Sequence, residues 1–171
     1  MSDLEIVSVR SRQERKLFFN FPWDHYRGDP NWVPPLRIVQ KELLNYRYHP
    51  FYDDAEIQTF VALRNGQPCG RIAALLNHAH NRQYDEQRGF FGFFESVDDE
   101  EVSGRLFDAV RAWFAERNID SLRGPVNPSL NYECGLLVDG FDEPPWFMMT
   151  YNKPYYGKLI DNYGFRNAQN L

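Results

Sequence analysis

Two cysteines, Cys69 and Cys134, are all that 171 residues contain, and their placement matches neither a disulfide framework nor a zinc site. No run of about 18 apolar residues is present that could span a bilayer as a helix. The opening MSDLEIVSVRSRQER lacks the continuous apolar stretch of a signal peptide, so a cytoplasmic protein in a reducing compartment is expected. Basic charge is in deficit: 19 Lys and Arg stand against 24 Asp and Glu, a formal net charge of −5. That balance argues against a nucleic-acid partner and, by the same reasoning, against an anionic membrane surface. Glycine-rich nucleotide loops, a nucleophile elbow and HExxH are all missing, which removes the motif-bearing enzyme classes that depend on them.

What the chain does contain is a globular composition, 43% hydrophobic and 25% charged, with an aromatic share of 16% that suggests a core or pocket built from rings. One domain over residues 1–171 is expected. LEIVSV (4–9) reads as a strand. Ser11 and Glu14 form a capping box that opens a helix predicted to run to about Phe19, followed by the irregular segment FPWDHYRGDPNWVPP. LRIVQKELL (36–44) sets Leu36, Val39 and Leu43 on one helical face. AEIQTFVALR and CGRIAALL form a hairpin closed by Asn65-Gly66. A polar loop is predicted over 77–88. GFFGFFE (89–95) is apolar on both faces, as a central strand is, and the helix over EEVSGRLFDAVRAWFAERN leads to a parallel strand at SLRGPV. The stretch 125–150 is predicted as loop with a strand at GLLV. A last helix begins near Pro154 and ends at Gly164.

This order of elements resembles the GCN5-related N-acetyltransferase (GNAT) superfamily. The segments NWVPPL, GFFGFFE, RGPVNPS, GLLVDGFDEPP and PYYGKLIDNYGF together are similar to a bacterial branch of it with chains roughly twice this length. The resemblance implies an α/β (α+β) fold with a mixed central sheet flanked by helices and lacking the last strands. It implies a V-shaped opening between strands 89–95 and 121–124 that holds acetyl-CoA or a longer acyl-CoA, and direct attack on the thioester by a small-molecule or lipid-like amine. A homo-oligomer, or association with a missing C-terminal half, goes with it. So does a second reading, in which the domain is a degenerate, non-catalytic half that packs or binds a partner. Two positions depart from the superfamily pattern. The pyrophosphate loop reads SVDDEEVSGR, with four consecutive acids from Asp98 to Glu101, and Ile160 stands where the superfamily's tyrosine acid is expected.

Within that frame Glu95 is the expected base, on one strand face with Phe91 and Phe93, where burial among rings raises a carboxylate's pKa. Tyr156 is the expected acid, with Tyr155 beside it. Backbone N–H groups near Phe93 and Phe94 are expected to polarise the thioester carbonyl. Asn127 and Asn131 offer hydrogen bonds to a pantetheine amide. Arg82, Arg88 and Arg105 are the cations able to offset the acidic turn, and Asp98 with Glu101 has the spacing of a helix cap. His78 and His80 share a face in NHAHN, but no third ligand is apparent and no metal is expected.

Overall fold

In the computed structural model, described over residues 3–170, five strands form one sheet in the order β1-β2-β3-β4-β5. These are β1 (Leu4–Ser8), β2 (Ala55–Arg64), β3 (Gln67–Asn77), β4 (Arg88–Ser96) and β5 (Ser121–Arg123). The first four run antiparallel, and β4 and β5 are parallel, as the crossover through α4 (Glu100–Ala115) requires. Asn65 and Gly66 both take positive φ, 50° and 77°, which is the backbone a tight β2–β3 hairpin needs. The fold is α/β, with a mixed sheet flanked by helices.

One face of the sheet is covered by α4 and α5 (Tyr156–Tyr163), through Val102, Leu106, Phe107 and Val110 on the first and Tyr156 and Ile160 on the second. The other is covered by α1 (Arg12–His25) and α2 (Arg37–Leu43), through Phe18, Phe19 and Leu43. Gly164 closes α5 at φ 106° as its sequence position predicts.

Four expectations change. First, α1 does not stop at Phe19 but continues through Pro22 to His25. Proline has no N–H to offer the carbonyl four residues back, and that orphaned Phe18 carbonyl instead accepts from Arg71 Nη1 at 3.2 Å. Second, the segment predicted as polar loop contains α3 (His78–Tyr84), opened by Asn77, whose side chain accepts from His80 N at 3.0 Å. Third, GLLV is not a strand; β6 (Val126–Asn127) pairs instead with β7 (Glu133–Cys134).

The fourth change lies in β4. Phe93 takes φ 50°, and the register against β3 slips between Arg71 and Ala73, which is a β-bulge. Strict alternation fails there: Phe91 and Phe94 face α4, while Phe90 and Phe93 face α1. Glu95 therefore does not share a face with Phe91.

Candidate functional site

Glu95 leaves the bulge with only 13% of its side chain exposed. Its Oε2 accepts hydrogen bonds from Tyr26 Oη and Tyr156 Oη, both at 2.7 Å, and Oε1 lies 3.7 Å from Arg71 Nη2. Burial pushes the carboxyl above its ordinary range; Arg71 and the two phenols oppose this without cancelling it, and Glu133 adds to the rise. The result is a buried carboxyl group held in place by two hydrogen bonds and one nearby guanidinium.

Tyr156 is 1% exposed, and its oxygen is fully engaged. It donates to Glu95, accepts from Ser96 N at 3.1 Å, and meets His25 Nε2 at 3.0 Å. Burial, then the neighbouring Glu95, hold its pKa well above the usual tyrosine value. His25 is pushed down to about 4 by burial, with Lys153 and Arg71 adding to the effect, so it is neutral at pH 7 and one ring nitrogen can donate to Tyr156. Tyr155 donates to the Ser96 carbonyl at 2.8 Å. The chain Arg71–Glu95–Tyr156–His25 thus links strand, last helix and first helix.

A cavity of about 110 Å³ opens beside this network, with Glu95, Arg71, Tyr156, Phe93, Asn127 and Glu133 in its wall. Trp23 and Trp32 line it as well, the second stacked on Tyr26 at a centroid distance of 5.1 Å. Its size suits the reacting groups of a ligand rather than a whole one. A larger groove of about 1020 Å³ runs along α4, β5 and the end of α5, and none of the expected site residues line it.

The two ends of a coenzyme A thioester fit unequally. Beside the bulge, the Phe93 N–H already donates to Asn127 Oδ1 at 2.6 Å, so a carbonyl bound there must displace that side chain. Gly92 explains why Asn127 comes so near: a Cβ at this position would stand 1.5 Å from the Val126 carbonyl oxygen. At the start of α4, Asp99, not Asp98, is the cap, accepting from Glu101 N at 2.9 Å and Val102 N at 3.3 Å. Its other oxygen pairs with Arg64 at 2.6 Å, and Arg64 also reaches Glu101 at 3.0 Å. Asp99 caps the helix start with Asp98, Glu100 and Glu101 beside it, so a diphosphate placed there meets like charge that Arg64 offsets at close range.

The other expected residues lie as follows. Arg64, not Arg82, Arg88 or Arg105, offsets the acidic turn. Arg105 donates to the Leu4 carbonyl, Arg82 pairs with Asp54, and Arg88 with Glu86. Asn131 is exposed and does not line the cavity. The Phe93 and Phe94 rings are buried on opposite faces of the sheet. His78 and His80 lie on α3 and face Glu56 and Glu86, and no cluster of three or more metal-ligating side chains occurs among the described residues.

The mixed sheet, the bulged fourth strand and the parallel fifth define the class: the chain has the fold of the GNAT superfamily. No family model matches the chain. It is 37% identical over 161 residues to protein YghO of Escherichia coli (strain K12), covering 94% of this chain and 41% of that protein. It is 37% identical over 172 residues to the bacterial ceramide synthase of Caulobacter vibrioides, covering 99% and 44%. The chain thus spans less than half the length of both. Among solved structures, a GNAT-family acetyltransferase from Staphylococcus aureus Mu50 aligns over 73% of this chain and 74% of its own, with TM-score 0.51 and 18% identity. A protein described as a predicted acetyltransferase from Clostridium acetobutylicum, solved with acetyl-CoA, aligns over 100% and 94%, with TM-score 0.55 and 12% identity.

Proposed function

We infer that the chain carries the acyl-transfer site of an N-acyltransferase that uses acyl-CoA as donor and an amine as acceptor. The observation that carries this reading is the buried, proton-ready Glu95 at a strand bulge, in the wall of a small cavity beside the Phe93 amide. A bound acyl-CoA supplies an electrophilic carbonyl and a thiolate leaving group. Glu95 accepts the proton the amine loses as the C–N bond forms. Tyr156 supplies the proton the thiolate needs as the C–S bond breaks, and recovers one from Glu95, toward which its O–H is already directed. The Phe93 N–H polarises the carbonyl once Asn127 turns aside. Since ceramide is the amide of a long-chain amine, the relative named ceramide synthase favours a lipid-like acceptor.

A second reading, a non-catalytic domain, draws on the carboxylates that occupy the start of α4. Two experiments separate them. Calorimetric titration with coenzyme A and a series of acyl-CoAs should show saturable binding under the first reading, and none in a folded sample under the second. Glu95→Gln should lower kcat/KM with a long-chain amine by about 100-fold or more. Unchanged turnover would remove Glu95 from the mechanism.

A further inference from the structure

The net charge of −5 averages over an uneven distribution. Residues 10–47 carry eight Lys and Arg against four Asp and Glu, while the rest of the chain carries eleven against twenty. Among the described residues, Arg27 is the only one of those eight cations in an ion pair. Three of the others stand over one strip of rings: Arg15 above Tyr46, Arg37 above Trp23 and Phe19, and Lys41 above Phe19. Phe19 stacks on Trp23, and Trp23 meets Trp32 edge-on, so the strip runs to the cavity wall.

Exposed apolar side chains gather at the same mouth. On α2 and the turn before it, Val33, Leu36 and Ile38 face solvent, Leu36 at 71% exposure. Across the opening stand Trp146 at 82% and Phe147 at 93%, followed by Met148 and Met149. Val33, Pro35, Pro145 and Met149 line the cavity itself, and Asn31 Nδ2 donates to the Phe141 carbonyl at 3.2 Å, so the two segments adjoin. Asp139, Asp142 and Glu143 precede the second segment and Glu14, Asp24 and Glu42 lie on α1 and α2, while Arg15, Arg37 and Lys41 are held over the rings of the strip itself. Rings and aliphatic tips beside unpaired cations are what an interfacial protein presents to a bilayer: the apolar groups enter the headgroup boundary and the cations meet lipid phosphate.

We propose that this face docks on an anionic lipid bilayer, with Leu36, Ile38, Trp146 and Phe147 entering the interface, Arg15, Arg37 and Lys41 meeting phosphate, and the cavity mouth open to the membrane. It spans nothing: no helix among the described residues is long and apolar enough to cross.

Vesicle flotation tests this with the 171-residue chain and phosphatidylcholine vesicles, with and without about one third phosphatidylglycerol. The salt is set to about 0.05 M and about 0.5 M, across which the Debye length shortens several-fold. The chain should float with the anionic vesicles at low salt, at least tenfold less with neutral ones, and be released at high salt. Trp146→Ser with Phe147→Ser should cut binding about tenfold and keep its salt dependence, and Arg15→Glu with Lys41→Glu should abolish the preference for anionic lipid. Absence of flotation, or flotation indifferent to both pairs, overturns the proposal. So does a dimer in sedimentation that the same pairs dissociate, since a second copy would then cover the face. None of these residues takes part in proton transfer, so the result is independent of turnover.

Discussion

Two phenols reach the same oxygen of Glu95, yet their roles differ. Tyr26 stacks on Trp32 and donates to Glu95, so Tyr26→Phe removes one donor to the carboxylate and leaves the ring. Losing a donor that favours the charged form raises the pKa further. The acidic limb of the kcat/KM profile should move to higher pH, by about one pH unit, with the plateau little changed. Under the proposed mechanism Tyr156→Phe should instead lower the plateau at every pH, by about 100-fold, through loss of the proton donor to the thiolate. A pH–rate profile of both variants distinguishes them, and equal effects would show that Tyr156 only orients Glu95.

At the scale of elements, the site rests on one crowded crossing, where β6 passes over Gly92. Asn127→Ala should leave the fold intact but free the Phe93 amide, whose hydrogen exchange should quicken by about tenfold or more. Gly92→Ala should be far worse, since its Cβ meets backbone that cannot step aside, and a loss of several kcal/mol in urea unfolding is expected. Local signals in the sequence found most elements: the capping box at Ser11, the Asn65-Gly66 turn, the helix over 100–118. They did not find the bulge, because Phe93 is a bulky residue at positive φ and only pairing with β3 reveals it. Nor did they find the continuation of α1, since Pro22 reads as a helix breaker until Arg71, 53 residues beyond Phe18, takes up the Phe18 carbonyl. The lone cation in the apolar run CGRIAALL was the one visible trace of that contact.

The whole molecule is tied together by buried groups from distant parts of the chain, and its stability should report them through pH. Glu95 was legible as a candidate because it ends an aromatic strand, where burial against rings raises a carboxylate's pKa. His25 was not, because it lies in a segment that looked irregular, and its partner Tyr156 is 131 residues away. The two act with opposite sign. His25 has a folded pKa lowered from 6.5 to about 4, so the unfolded chain binds the proton more readily between those values. Its contribution is complete above pH 6.5 and is lost as pH falls toward 4. Glu95 has a raised folded pKa, so its contribution is present below the ordinary carboxylate range and is lost as pH rises through the folded value. Urea unfolding of wild type between pH 7 and about pH 4 should therefore show a His25-dependent loss that His25→Gln removes, on the order of 2 kcal/mol. Glu95→Gln should leave that loss in place and flatten the opposing slope. An identical pH dependence in wild type and His25→Gln would mean that the fold does not lower the His25 pKa.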